Sequence, residues 1–491
     1  MVAAAMLPAV PGQAADGTTT GKRLQTQLQE AIQLSQAKDP KACVKNARAV
    51  IGAAGFAGMN DEFRGHTYYI ASFCSVDAGD QAAGRAFAVQ ATLVDNAPPE
   101  VWRLRGGLEM QDEEHPAAAV TGLEAMAARA PNALNALPQQ WVNMFYNRIK
   151  KGHDAALRRR TLALFAAKVY EPVEVGGSAD YFRSELAMLR AADLDRAGAS
   201  ALIVMITEPR TLLNLSLDPR TRALIPVDFD VRVATERELT RRRDVAASHA
   251  SSLYAVVAVA NALRWLGRYE EALAGLAAAS PEGAAGASFT DRDEMVNWWW
   301  DAVGYANVYL GRYDAGLAAF RHGIEAKEIG EVNVSQSINL ANQQMIFGRN
   351  EDAIKTLAPL GEGKDASPYG VMQLIGVRGC VRFRAGDKAG ADADYAYAKA
   401  HDQDAPDTET NLALCRNDLA VAADSLVRRL DDTERRVDAL LTVSDFDPPP
   451  AAYPKQVEDD RLTLVKARPE VKAAIAQAGG ARRFHLMRAP F

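Results

Sequence analysis

The chain has 491 residues, of which 48% are hydrophobic and 24% charged, with a formal net charge of −6. That is an ordinary globular composition with enough apolar material for a large core, and it lacks the basic field that would draw nucleic acid. No run reaches the roughly 18 apolar residues needed to cross a bilayer as a helix.

Residues 1–20 differ in kind from the rest. Met1 to Ala15 is small and apolar and ends Pro11-Gly12-Gln13-Ala14-Ala15, like the core and cleavage site of a secretory signal, although no basic segment precedes it. Read as a signal, it places the chain in the bacterial periplasm or cell envelope; read as a disordered Ala-rich tail, it leaves the chain cytoplasmic. The four cysteines form no C-x-x-C motif. Their even number allows two disulfides in an exported protein, and four buried helical thiols is the competing reading.

From residue 21 onward, apolar residues recur three and four apart and alternating β-branched runs are scarce, which predicts helices. Residues 21–206 read as degenerate helical hairpins. Turns fall at Ala78-Gly79-Asp80, Glu113-Glu114-His115-Pro116, Lys151-Gly152-His153-Asp154 and Ala192-Asp193-Leu194-Asp195. Gly79 and Glu113 lie 34 residues apart, and Pro98 and Pro131 lie 33 apart. Arg158–Arg160 and Arg241–Arg243 stand beside acids and read as solvated faces. Residues 207–247 read as a junction: Glu208-Pro209, Asp218-Pro219 and Ile225-Pro226 interrupt helix formation, and a charged helix follows from about Asp230 to Ala247.

Residues 248–430 carry the clearest repeats. One unit runs Trp300-Asp301-Ala302-Val303-Gly304, Leu310-Gly311-Arg312-Tyr313, then Phe320. Leu266-Gly267-Arg268-Tyr269-Glu270-Glu271-Ala272 and Phe347-Gly348-Arg349-Asn350-Glu351-Asp352-Ala353 repeat its turn, and Ala385-Gly386-Asp387-Lys388-Ala389 repeats it more loosely. The four glycines are spaced 44, 37 and 38 residues apart. In residues 431–491, Asp447-Pro448-Pro449-Pro450 stops any helix. A short helix from about Glu470 to Gln477 and a tail from Arg483 to Phe491 read as a cap.

No phosphate-binding loop, dinucleotide glycine motif, H-E-x-x-H or G-x-S-x-G occurs. The seven histidines are scattered, and Asp112-Glu113-Glu114 and Asp459-Asp460 read as loop charges. The motifs therefore indicate no catalytic, cofactor or metal site.

The repeated unit resembles the tetratricopeptide (TPR) family, whose period is about 34 residues; Gly316 stands where that family usually has Ala. The resemblance implies an all-α fold of seven to nine TPR-like helical hairpins stacked into a right-handed superhelix, an α-solenoid in one or two segments. It makes Trp300 a core aromatic. It places Tyr254, Asn261, Arg264, Trp298, Asp301, Tyr305, Ser335, Asn342, Met345 and Gln373 on the concave groove, with Phe383 beyond. Val257 stands where some members place a carboxylate-binding lysine, so a carboxylate clamp is not expected. It also sets Cys43 near Cys74, and Cys380 near Cys415, on neighbouring helices. The function implied is a scaffold for a protein or peptide partner, without cofactor. A self-associating structural subunit, or an enzyme with a dispersed site, is the alternative.

Overall fold

The computed structural model describes residues 19–95, 97–286, 288–326, 333–364 and 366–488. The signal-like segment lies outside the described residues, apart from Thr19 and Thr20. Contacts divide the chain into two units, Met1–Leu186 and Ala187–Phe491.

The first unit contains α1 Thr19–Gln36, α2 Pro40–Ile51, α3 Asp61–Asp77, α4 Gln81–Leu93, α5 Pro99–Gln111, α6 Pro116–Arg129, α7 Pro131–Asn135, α8 Gln139–Lys151 and α9 Ala155–Ala166. The division falls within α10, Asp180–Ala192. The second unit continues with α11 Arg196–Ile203, α12 Pro209–Leu217, α13 Val231–Ser248, α14 Leu253–Trp265, α15 Tyr269–Ala278 and the short α16 Gly283–Gly286. Then come α17 Arg292–Tyr309, α18 Tyr313–Glu325, α19 Val334–Ile346, α20 Asn350–Leu357, α21 Pro368–Arg384, α22 Lys388–Ala400, α23 Asp407–Cys415 and α24 Leu419–Asp431. Last are α25 Arg436–Val443, β1 Asp445–Asp447, α26 Val457–Ala467, α27 Pro469–Ala478 and β2 Arg483–Met487. The stretch from Thr207, rich in proline, thus holds a helix, with Pro209 in its first turn where a missing N–H costs nothing.

One turn design recurs. After α3, Gly79 takes φ +88°; its N–H bonds the Val76 carbonyl at 2.9 Å and the Asp80 N–H bonds that of Ser75 at 2.8 Å. This pair of bonds satisfies carbonyls that the helix end would leave open. Gly267, Gly311, Gly348 and Gly386 repeat it, with φ between 75° and 87°. Among the described residues, four turns put a residue other than glycine in this left-handed region: Lys38, His153, Leu194 and Asn417. Each is followed by an aspartate that accepts an N–H of the next helix: Asp39 from Ala42, Asp154 from Leu157, Asp195 from Gly198 and Asp418 from Val421. A side chain in that conformation costs about 1–2 kcal/mol, and such a cap returns about 1 kcal/mol. The glycine turns avoid the cost, and three of them, followed by Arg268, Arg312 and Arg349, have no side-chain cap.

Within a hairpin the helices approach closely at small residues. A Cβ on Gly316 would lie 2.4 Å from Val308 Cγ1 and 3.0 Å from the Gly304 carbonyl, so alanine does not fit there. In the first unit Gly84 plays the same part, its missing Cβ 2.6 Å from Val76 Cγ2.

Disulfides join Cys43 to Cys74 and Cys380 to Cys415. The first links the start of α2 to the end of α3 inside an apolar cluster that includes Leu28, Ala47 and Ile70.

The second unit is closed on itself. Its hairpins follow in order from α14 to α24, and then α25 packs on α12 while β2 packs on α13 and α14. One apolar cluster joins the beginning (Leu213, Val231, Leu253) to the end (Leu440, Val471, Phe484). The tail forms strand β2, parallel to β1, and buries Phe484 and Leu486 in this core. Residues 436–488 therefore bridge the last hairpin to the first. The segment after Pro450 crosses the repeat turns: Tyr453 stacks on Tyr309, which stacks on Tyr269, and the Tyr313 hydroxyl donates to the Ala452 carbonyl.

Candidate functional site

Closure of the second unit turns the inner face of its first helices into a basin of about 770 Å³. Helices α14, α17, α19, α21 and α23 supply most of the wall. Arg210 comes from α12, Arg242 from α13, and Gln456, Glu458 and Asp459 from the start of α26.

Asn261, Arg264, Trp298, Asp301, Tyr305, Ser335, Asn342, Met345 and Gln373 all line this basin. Tyr254 does not; it is exposed, and its N–H is held by Asp291 at 3.0 Å. Phe383 packs against the core of the α19–α23 region. Trp300 is not the deepest of the three tryptophans. That place belongs to Trp299, whose indole N–H donates to the Leu276 carbonyl at 3.2 Å. Trp300 is half-buried, edge-on to Trp299 and tilted over His322. Helix α17 packs on α15, and Trp299 is the indole on that side, reaching Leu276 of α15.

The basin's polar groups are partly neutralised in place. Arg264 is buried, donates to Asn261 Oδ1 at 3.1 Å and lies 4.4 Å from the Tyr305 ring centroid, a favourable cation–π arrangement. Its Nε has no hydrogen-bond partner among the described residues. Asp301 accepts from Asn339 Nδ2 at 2.8 Å. Burial pushes the Asp301 carboxyl up to about 6, against the opposing pull of Arg264 and the Asn339 bond. Burial and nearby Asp438 likewise raise Asp407, against Arg429. Arg384 pairs with Glu458 at 2.6 Å, and Arg242 with Glu238 at 2.7 Å.

Several groups escaped the sequence reading. Asp459 and Asp460 stand in the first turn of α26 and not in a loop, because that helix begins at Val457 and acids suit a helix start. Asp112 is no solvated charge: its side chain is 6% exposed and pairs with Arg85. Arg158 bonds Tyr146 and Glu185, and Arg242 donates inward to Glu238 and the Ala258 carbonyl. Interleaved arginines and acids look alike on a solvated face and at a packed one, so the local pattern held no signal for either.

No family model matches this chain, and no curated relative does. Among solved structures, it is similar to the APC/C hetero-tetramer Cut9–Hcn1, at 12% identity over 93% of this chain and 90% of that one, with a TM-score of 0.31. It is similar also to yeast Tom70, at 12% identity, 93% and 95% coverage and a TM-score of 0.26. Naa15/Naa10 bound to HypK-THB gives 14% identity, 93% and 68% coverage and a TM-score of 0.25. The class rests on the hairpins themselves. Their glycine turns, small crossing residues and stacked order make this a TPR-like, all-α repeat protein.

Proposed function

We propose that the chain is an interaction scaffold whose second unit holds a short segment of a protein or peptide partner in the basin. The observation that carries this reading is the basin's wall. Successive helices bring amides (Asn261, Asn342, Gln373), an exposed tryptophan (Trp298) and the buried Arg264 to one concave surface. Amides pair with a peptide backbone through both donor and acceptor. A tryptophan and an arginine are the side chains most often responsible for binding energy. The cavity volume suits a few residues and not a folded domain.

The two disulfides favour an oxidising compartment, and the periplasm or cell envelope is the location proposed. The test is a crosslinking pull-down from the envelope fraction of the native organism, with wild type beside a Trp298→Ala, Asn342→Ala variant. Capture by wild type and loss in the folded variant supports the reading; equal capture by both places the binding surface outside the basin and refutes it.

A further inference from the structure

The two disulfides sit in unlike surroundings. Cys43 and Cys74 are wholly buried among apolar side chains. Cys380 lines the basin, and the carboxylate of Glu458 lies within 4.8 Å of both Cys380 and Cys415 sulfurs. Two cations attend this second pair. Arg384 holds Glu458 at 2.6 Å, and Arg461 donates to the Leu414 and Cys415 carbonyls at 2.8 and 2.7 Å. Arg384 is neutralised by Glu458 and Arg461 faces main-chain carbonyls, so what sets this pair apart is that Cys380 lines the basin and a carboxylate stands beside both sulfurs.

We propose that Cys380–Cys415 is a reducible disulfide whose dithiol form, together with Glu458, holds a zinc ion at the wall of the basin. A dithiol reductant supplies the two electrons. One of its thiolates attacks a cysteine sulfur, the S–S bond breaks, and the reductant's second sulfur closes its own disulfide, leaving two protein thiols. Metal binding then displaces both thiol protons to solvent. Two thiolates and a carboxylate are a zinc donor set, and the remaining tetrahedral position opens on the basin, as in zinc sites that accept an exogenous ligand. Thiolates about 2.3 Å from zinc lie about 3.8 Å from each other. The cysteine Cα atoms are 5.7 Å apart, so side-chain rotation opens that gap while the helices stay in place. Three negative ligands against Zn²⁺ leave one net negative charge, which Arg384 offsets while orienting Glu458, as outer-shell partners do. The other pair has no such third ligand among the described residues.

The test uses the full chain reduced with a phosphine, which brings no competing thiolate, and titrated without oxygen with Co²⁺ as a spectroscopic stand-in for zinc. Expected are thiolate-to-cobalt absorption saturating at one ion per chain, its absence before reduction, and its displacement by Zn²⁺. Cys380→Ser should abolish the band, and Glu458→Gln should weaken cobalt binding about tenfold or more. Circular dichroism follows the fold of each sample. The proposal is overturned by a reduced wild type that shows no band or loses its helical signal. It is equally overturned by folded Cys380→Ser or Glu458→Gln chains that bind cobalt as wild type does.

Discussion

Replacing Asp301 with asparagine isolates one electrostatic cost of the basin. Burial raises the Asp301 carboxyl from 3.8 to about 6. Because the folded-state value is raised, the folded chain binds the proton more tightly than the unfolded chain. Stability is then highest below about pH 4 with respect to this group, and falls as pH climbs through 6. At about 1.36 kcal/mol per pH unit, the full loss is about 3 kcal/mol. Asparagine keeps the oxygen that accepts from Asn339 and cannot ionise. Asp301→Asn should therefore be nearly neutral at pH 4 and stabilise the second unit by up to about 3 kcal/mol at pH 7.5. Urea titrations read by hydrogen exchange at α17 amides, on variant and wild type at several pH values, measure that difference; other titrating carboxyls cancel in it. A difference that stays constant from pH 4 to pH 8 would falsify the reasoning.

Gly316→Ala should cost about 1–3 kcal/mol in denaturant titrations, because its methyl overlaps Val308 in a full crossing; a change below 0.5 kcal/mol would show, on the ~1–3 kcal/mol scale, that the helices part freely. Leu194→Gly should stabilise by about 0.5–1 kcal/mol, the relief of a left-handed leucine less the added chain entropy, whereas Leu194→Ala should bring no gain. Asp418→Ala should lose about 1 kcal/mol with its cap, and an unchanged melting curve would speak against the cap's role. Joint Cys43→Ala, Cys74→Ala replacement should lower stability by about 3–4 kcal/mol through loss of a 31-residue cross-link, seen as earlier melting of the first unit.

Much of the repeat order was legible because glycine turns announce themselves. Gly267, Gly311, Gly348 and Gly386 need positive φ, and the residues around them repeat. The groove face followed from the resemblance to the tetratricopeptide family, which placed Asn261, Asp301, Ser335 and Gln373 on the concave side, where they line the basin, and Tyr254 as well, which does not. Lys38-Asp39 and Asn417-Asp418 were missed: without glycine, the only mark of the turn is an aspartate that caps the following helix. Closure of the second unit left no local trace at all. It depends on Phe484 and Leu486 meeting residues more than two hundred positions earlier, through a strand pair only three residues long on one side. So short a parallel pair shows no alternation, and its partner cannot be inferred from periodicity. The tryptophan phase was misread because three consecutive indoles carry no local mark of which one faces α15; that place belongs to Trp299.

The most direct measurement of the central claim is photo-crosslinking from inside the basin. A photoreactive residue at Ser335 or Gln373, on the wall, is compared with one at the exposed Glu351 of the outer helix α20, and the attached peptide is identified by mass spectrometry. The account predicts that both basin positions label one short segment of one partner, and that Glu351 does not. Labelling from Glu351 alone, with the basin positions silent in a folded chain, would contradict it.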